Sequence, residues 1–146
     1  SQTNVTVLDV LGAGYVDFYS APPKVNDRCG QFLIRHKKTG LMYIGQTRRM
    51  GTTLPSIISN LRNNKSSNPY LREFAEEVTP FMSYKYFDVF YTLTPKFKDI
   101  DIIFNVFNEY NVFINVLRNG RFQYSFAERA YKKHTQSMNS DQLQLQ

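Results

Sequence analysis

The sequence predicts an α+β domain, a small mixed or antiparallel β-sheet flanked by helices, with an extension at each end. Three observations predict it. Residues 30–49 read as a β-hairpin, in which Gln31–Arg35 and Leu41–Ile44 are short runs rich in apolar and aromatic residues. The connection between them, His36-Lys37-Lys38-Thr39-Gly40, is polar and basic. Residues 53–78 carry apolar positions at helical spacing, in stretches separated by a polar loop. Tyr84–Leu93 alternates aromatic and polar residues as a strand does.

A chain of 146 residues, 42% of them hydrophobic, suits one domain with a real core. With 12 Phe, 10 Tyr and no Trp, large rings supply much of the packing. A formal charge of +6 and a pI near 9.5 point to a polyanionic partner, most often nucleic acid. The single cysteine, Cys29, excludes an internal disulfide and a cysteine-based metal cluster, and is expected to be a small buried apolar residue. Charged and polar residues interrupt every apolar segment well short of the roughly 18 residues a membrane span needs, so no membrane partner is expected. Ser1-Gln2-Thr3-Asn4 does not read as the start of a secretory signal, which has a basic start followed by an apolar run.

Residues 1–29 form an N-terminal extension. Val5–Leu11 alternates imperfectly and is compatible with a strand or a short helix. Gly12-Ala13-Gly14 lacks the third glycine and following helix of a dinucleotide loop, and Tyr15–Tyr19 after it looks like a strand. Ala21-Pro22-Pro23-Lys24 breaks regular structure ahead of the main domain, residues 30–115. In the hairpin, Gly40 is placed to adopt a positive φ at the turn exit, and Gly45 to let the backbone approach another group closely.

After the polar turn Arg48–Thr53, a first helix is expected to start at Thr53-Leu54-Pro55, with Thr53 as cap and Ile57, Ile58 and Leu61 buried. Asn63–Pro69 is a loop, and Asn68-Pro69 opens a second helix that buries Leu71, Phe74, Ala75 and Val78. Its Arg72-Glu73 and Glu76-Glu77 form a solvated face. Thr79-Pro80 ends it, and the third strand follows. Asp99–Tyr110 places Ile102, Ile103, Val106 and Phe107 at helical spacing. Residues 116–136 hold a C-terminal hairpin turning at Asn119-Gly120, in which Val112–Leu117 pairs with Arg121–Phe126, and then a short basic helix over Ala127–His134. Residues 137–146 are a polar, Gln-rich tail.

The hairpin resembles the GIY-YIG endonuclease family. Gly30-Gln31-Phe32 stands where the first signature lies, Tyr43-Ile44-Gly45 matches the second in full, and the ten residues between them fall within the family's usual spacing. The order β-β-α-α-β-α is that of the family's core, so the resemblance covers about residues 30–115 and implies a GIY-YIG-like fold.

The resemblance implies phosphodiester hydrolysis by a tyrosine cluster from both signatures, an arginine on the first helix and a metal-binding glutamate on a later one. A hydroxyl positions water, a cation stabilises the pentavalent phosphate, and a carboxylate holds Mg²⁺ against it. Tyr43 matches the second-signature tyrosine. Phe32 occupies the first position without a hydroxyl. Eight residues past Gly45, where the arginine is expected, stands Thr53, leaving Arg48, Arg49 or Arg62 to reach in from elsewhere. Tyr110-Asn111-Val112 resembles the family's asparagine motif, and twelve residues upstream of Asn111 stands Asp99 in place of glutamate. Aspartate binds Mg²⁺, but one methylene shorter.

The expectation is therefore a GIY-YIG-derived domain with an eroded site that binds DNA or RNA. It needs no cofactor and serves as an architectural subunit of a larger assembly. The alternative is a Mg²⁺-dependent DNA endonuclease of homing or phage type. An intracellular setting is expected, with an organelle or a phage-infected cell among the candidates. Candidate contacts to nucleic acid are Arg35, His36, Lys37, Lys38, Arg48, Arg49 and Arg62, with a second patch from Arg118, Arg121, Arg129, Lys132 and Lys133. His36 and His134 have no spacing typical of zinc sites and are expected to face solvent. Tyr84, Tyr86 and Phe90 either stack on bases or belong to the core. Residues 1–29 and the tail are expected to contact other protein chains.

Overall fold

The computed structural model describes residues 16–17, 25–76, 85–97, 113–115, 117–118, 121–122 and 127–135. Strands β1 (Val16–Asp17), β2 (Gly30–His36), β3 (Met42–Thr47) and β4 (Phe87–Leu93) form one sheet in the order β1-β4-β2-β3. All its neighbours are antiparallel, which gives the chain an α+β architecture. Helices α1 (Met50–Arg62) and α2 (Pro69–Glu76) lie between β3 and β4 in the chain. β5 (Leu117–Arg118) pairs with β6 (Arg121–Phe122) as a separate two-stranded sheet, within the stretch where a C-terminal hairpin is expected. A third helix, α3, spans residues 127–135. The order of β2, β3, α1, α2 and β4 follows the expected β-β-α-α-β. The helix expected at Asp99–Tyr110 lies outside the described residues, as do Val78, Tyr84 and the tail.

The hairpin forms as its residues dictate. Gly40 takes φ +76°, its amide donates to the His36 carbonyl at 2.8 Å, and the His36 amide donates to Leu41 at 2.9 Å. Gly45 is required for a different reason. It pairs with Phe32 across the strands, and a Cβ on Gly45 would sit 2.3 Å from the Phe32 ring. The ring lies over the glycine and covers backbone that would otherwise be left bare.

Helix α1 begins at Met50, ahead of the expected cap at Thr53. The true cap comes from outside the local sequence. The Asp27 carboxylate accepts the Thr52 amide at 3.1 Å and the Thr52 hydroxyl at 3.2 Å, and Thr47 Oγ1 accepts the Arg49 amide at 3.1 Å. A carboxylate at a helix N-terminus satisfies orphan amides and complements the helix dipole. The Thr53 hydroxyl, free of a capping role, bonds that of Thr47 at 2.7 Å. Helix α2 is capped as its Asn-Pro start suggests, for Asn68 Oδ1 accepts the amides of Tyr70 at 3.0 Å and Leu71 at 3.1 Å.

One face of the sheet meets the helices. Phe32 and Ile34 of β2, with Phe87, Val89 and Tyr91 of β4, pack against Met50, Leu54 and Leu61 of α1 and Tyr70, Leu71 and Phe74 of α2. α3 joins the same core through Ala127 and Ala130, both fully buried. Its Tyr131 ring lies 5.0 Å from Tyr70 and 5.7 Å from Phe74 between centroids, and its hydroxyl donates to Glu73 at 2.6 Å. The basic helix at the C-terminal end thus shares its core with residues 30–115. On the opposite face Gln31, Leu33 and Ile44 are also buried, so β2 is covered on both faces.

The outer edge of β3 is closed by residues 113–115. Phe113 bridges Met42 in parallel sense, and the Ile114 amide donates to the Met42 carbonyl at 2.9 Å. Asn115 then imitates a strand with its side chain. Its Oδ1 accepts the Ile44 amide at 3.0 Å and its Nδ2 donates to the Ile44 carbonyl at 2.7 Å. Asn68 Nδ2 holds the Ile114 carbonyl from the other side at 2.8 Å. Two buried asparagines therefore fasten this segment between β3 and α2, and an edge open to pairing is covered.

Candidate nucleic-acid interface

Phe32 and Tyr43 meet at a cleft of about 190 Å³ on the helix-covered face of the hairpin. β2 and β3 contribute Phe32, Ile34 and Tyr43, α1 contributes Ile57, Asn60 and Leu61, and the loop into α2 adds Ser66 and Ser67. Strand alternation places Phe32, Ile34 and Tyr43 on one face, because Tyr43 pairs with Ile34 and Gly45 with Phe32. The Phe32 and Tyr43 rings stack at 6.4 Å between centroids, tilted by 29°.

Tyr43 is half-buried, and burial pushes its hydroxyl above the ordinary value of 10.0. It stays protonated at neutral pH and offers a hydrogen-bond donor rather than a base. Phe32 is buried, and its ring is spent on Gly45 and the core. Thr53, at the position where the resemblance places an arginine, is tied to Thr47. Arg48 and Arg49 are exposed at the start of α1, and neither lines the cleft. Arg49 Nε instead bonds Asp27 at 2.9 Å, and that hydrogen bond leads the causes that hold the Asp27 carboxyl below its usual value of 3.8. Arg62 is exposed one residue beyond Asn60 and Leu61, which do line the cleft. Asp99 and Asn111 lie outside the described residues. Among the described residues no group of three or more His, Cys, Asp or Glu side chains is placed to hold a metal ion.

The basic candidates divide by their partners. Arg35 Nη2 bonds Asp88 Oδ2 at 2.8 Å, and its guanidinium lies 5.4 Å from the Phe90 ring centroid. Lys37 Nζ stands 3.7 Å from the same carboxylate. Lys38 and Arg48 are exposed and carry no ion pair among the described residues. Residues 37–38 and 48–49 sit at opposite ends of the hairpin. A strand of this length, rising about 3.3 Å per residue, sets them roughly 20 Å apart. They form two stations along a ribbon rather than one patch.

His36 departs from the expectation of solvent exposure. It is buried at 4% exposure, its ring lies flat on Phe74 at 4.0 Å and 4°, and Phe87 flanks it at 5.2 Å. Strand alternation turns it to the core face with Phe32 and Ile34. Its Nδ1 meets the Thr39 hydroxyl at 2.8 Å, and that hydroxyl already accepts the Leu41 amide at 3.2 Å. The hydroxyl proton is thus available to the ring nitrogen, which suits a neutral imidazole. Burial, helped by the Lys38 charge, lowers its pKa to about 4. His36 is a core residue.

His134 is half-buried rather than solvent-facing, and Cys29 is half-buried and unbridged. On α3, Arg129, Lys132 and Lys133 are exposed, with Lys132 3.1 Å from Glu128. Tyr86 is exposed, while Phe90 is half-buried under Arg35. No helix among the described residues is long and apolar enough to cross a membrane.

Comparison of the chain with protein-family models, with curated proteins and with solved structures returns no match. The residues that most constrain the site region are Asp27, Asn68 and Asn115, none of them among the candidates that the sequence points to. Only Asn68 carries a local signal, its place before Pro69. The partners of Asp27 and Asn115 are 25 and 71 positions away.

Proposed function

We propose that this chain is a nucleic-acid-binding domain of GIY-YIG type whose catalytic site is eroded. The observation that carries the reading is the cleft beneath the signature hairpin. It keeps the Tyr43 hydroxyl, but Phe32 stands in the first-signature position and Thr53, in the arginine position, is tied to Thr47. A phosphoryl-transfer site needs a cation aimed at the developing charge, and among the described residues the lining of this cleft supplies none. What remains is aromatic surface and neutral hydrogen-bonding groups on a domain of net charge +6, a combination that binds rather than cleaves.

The two basic stations at the ends of the hairpin track a phosphate backbone along its length. The extensions give the domain its place as an architectural subunit. Residues 1–19 hold Val7, Leu8, Leu11, Tyr15, Phe18 and Tyr19, apolar side chains suited to a protein partner.

Affinity for DNA or RNA is expected to fall as salt rises. Replacing Lys37, Lys38 and Arg48 with Ala should weaken binding to every sequence and flatten the log–log salt slope by about 0.7–0.9 for each phosphate that is no longer neutralised. Unchanged affinity and slope in the triple variant, measured by fluorescence anisotropy, would remove the hairpin from the interface.

A further inference from the structure

We propose that the signature cleft is a pocket for one pyrimidine base of a nucleotide, a specificity that rests on the nucleic-acid-binding reading. Size sets the first limit. A cavity of about 150 Å³ admits benzene, so a cleft of about 190 Å³ has room for one six-membered ring with its exocyclic groups. Lining sets the second. The floor is apolar and fixed, with Phe32, Ile34, Leu61 and Leu71 all buried, while Tyr43 and Ile57 form half-buried walls. A planar ring entering here exchanges water for aromatic and aliphatic contact, and a Tyr43 face already braced by Phe32 is pre-organised for stacking.

Polar groups also line the cleft, and a base carries a hydrogen-bonding edge for them to meet. Asn60 is half-buried, lines the cleft, and its side-chain amide has no hydrogen bond among the described residues. An amide presents a donor and an acceptor side by side, the complement of a pyrimidine edge. Ser66 and Ser67 add hydroxyls beside it. The exposed Arg62 follows Asn60 and Leu61 in the chain, and the exposed Lys65 precedes the two serines. These two cations, next in sequence to residues that line the cleft, supply positive charge for the phosphate of an inserted nucleotide.

The test is an anisotropy titration of the full chain with labelled oligothymidylate and oligodeoxyadenylate of equal length, at low salt. Wild type should bind oligothymidylate at least about fivefold tighter, the lower end of one stacked base. Ser67→Phe, which plugs the cleft from an exposed lining position, should abolish that preference. Asn60→Ala should cut the preference by withdrawing the edge contacts, and serves if the plugged variant does not fold. Competition by thymidine monophosphate would assign the pocket to a free nucleotide, and a preference that the monophosphate cannot displace would assign it to a strand. Equal affinity for the two oligomers, or a preference that survives both substitutions, would overturn the pocket and leave nucleic-acid binding standing. Failure to bind either oligomer would overturn both.

Discussion

Asn115→Leu should destabilise the fold by about 2–4 kcal/mol, although the substitution replaces a polar side chain by an apolar one of similar size. The side chain is buried at 6% exposure and makes both hydrogen bonds of a β-ladder to Ile44, at 3.0 and 2.7 Å. Leucine fills the space and leaves the Ile44 amide and carbonyl unpaired out of water, at about 1–3 kcal/mol for each. Asn68 shares the network, because it holds the neighbouring Ile114 carbonyl at 2.8 Å while capping α2. A double-mutant cycle between Asn68→Ala and Asn115→Leu should therefore be non-additive. Urea denaturation reads both effects. A loss under about 1 kcal/mol for Asn115→Leu would mean that residues 113–115 do not close the sheet edge in solution.

The second large effect is a dependence of stability on pH that belongs to His36. Its folded pKa of about 4 lies below the ordinary 6.5. Between those values the unfolded chain binds a proton that the folded one excludes, so stability rises with pH across that window. The contribution is complete above pH 6.5 and is lost as pH falls towards 4, by up to about 3 kcal/mol at 1.36 kcal/mol per unit. His36→Phe keeps the flat contact with Phe74 and removes the titrating group, so it should lose less stability than wild type from pH 6.5 to 4. Asp27 acts lower on the scale. Its folded pKa is depressed below 3.8, so its contribution is present above that value and disappears only as pH falls further. Parallel melts of wild type and variant at several pH values separate these groups. Identical slopes in the two proteins would place the imidazole in water.

The parts of this fold legible in the sequence are those set by neighbours in the chain. The hairpin, its turn at Gly40 and the close approach at Gly45 follow from the local pattern, as does the Asn-Pro start of α2. The start of α1 is not legible there, because its cap, Asp27, is 25 positions from the amide it holds. His36 looks like part of a basic surface run because its neighbours Lys37 and Lys38 are charged. Alternation along β2 overrides that context and turns it to the core. The site divides the same way. Tyr43 and Phe32 stand out through the signatures, while the walls supplied by Ile57, Asn60 and Ser66 depend on the packing of α1 against the sheet.

Binding without cleavage is the central claim, and a single incubation addresses it. Supercoiled plasmid is mixed with the purified chain and Mg²⁺ or Mn²⁺, and the bound fraction and the DNA topology are followed together. The expected result is a salt-sensitive shift of the plasmid with no nicking above background. Metal-dependent nicking that disappears in Tyr43→Phe and Asp99→Ala would contradict it and make the protein a nuclease.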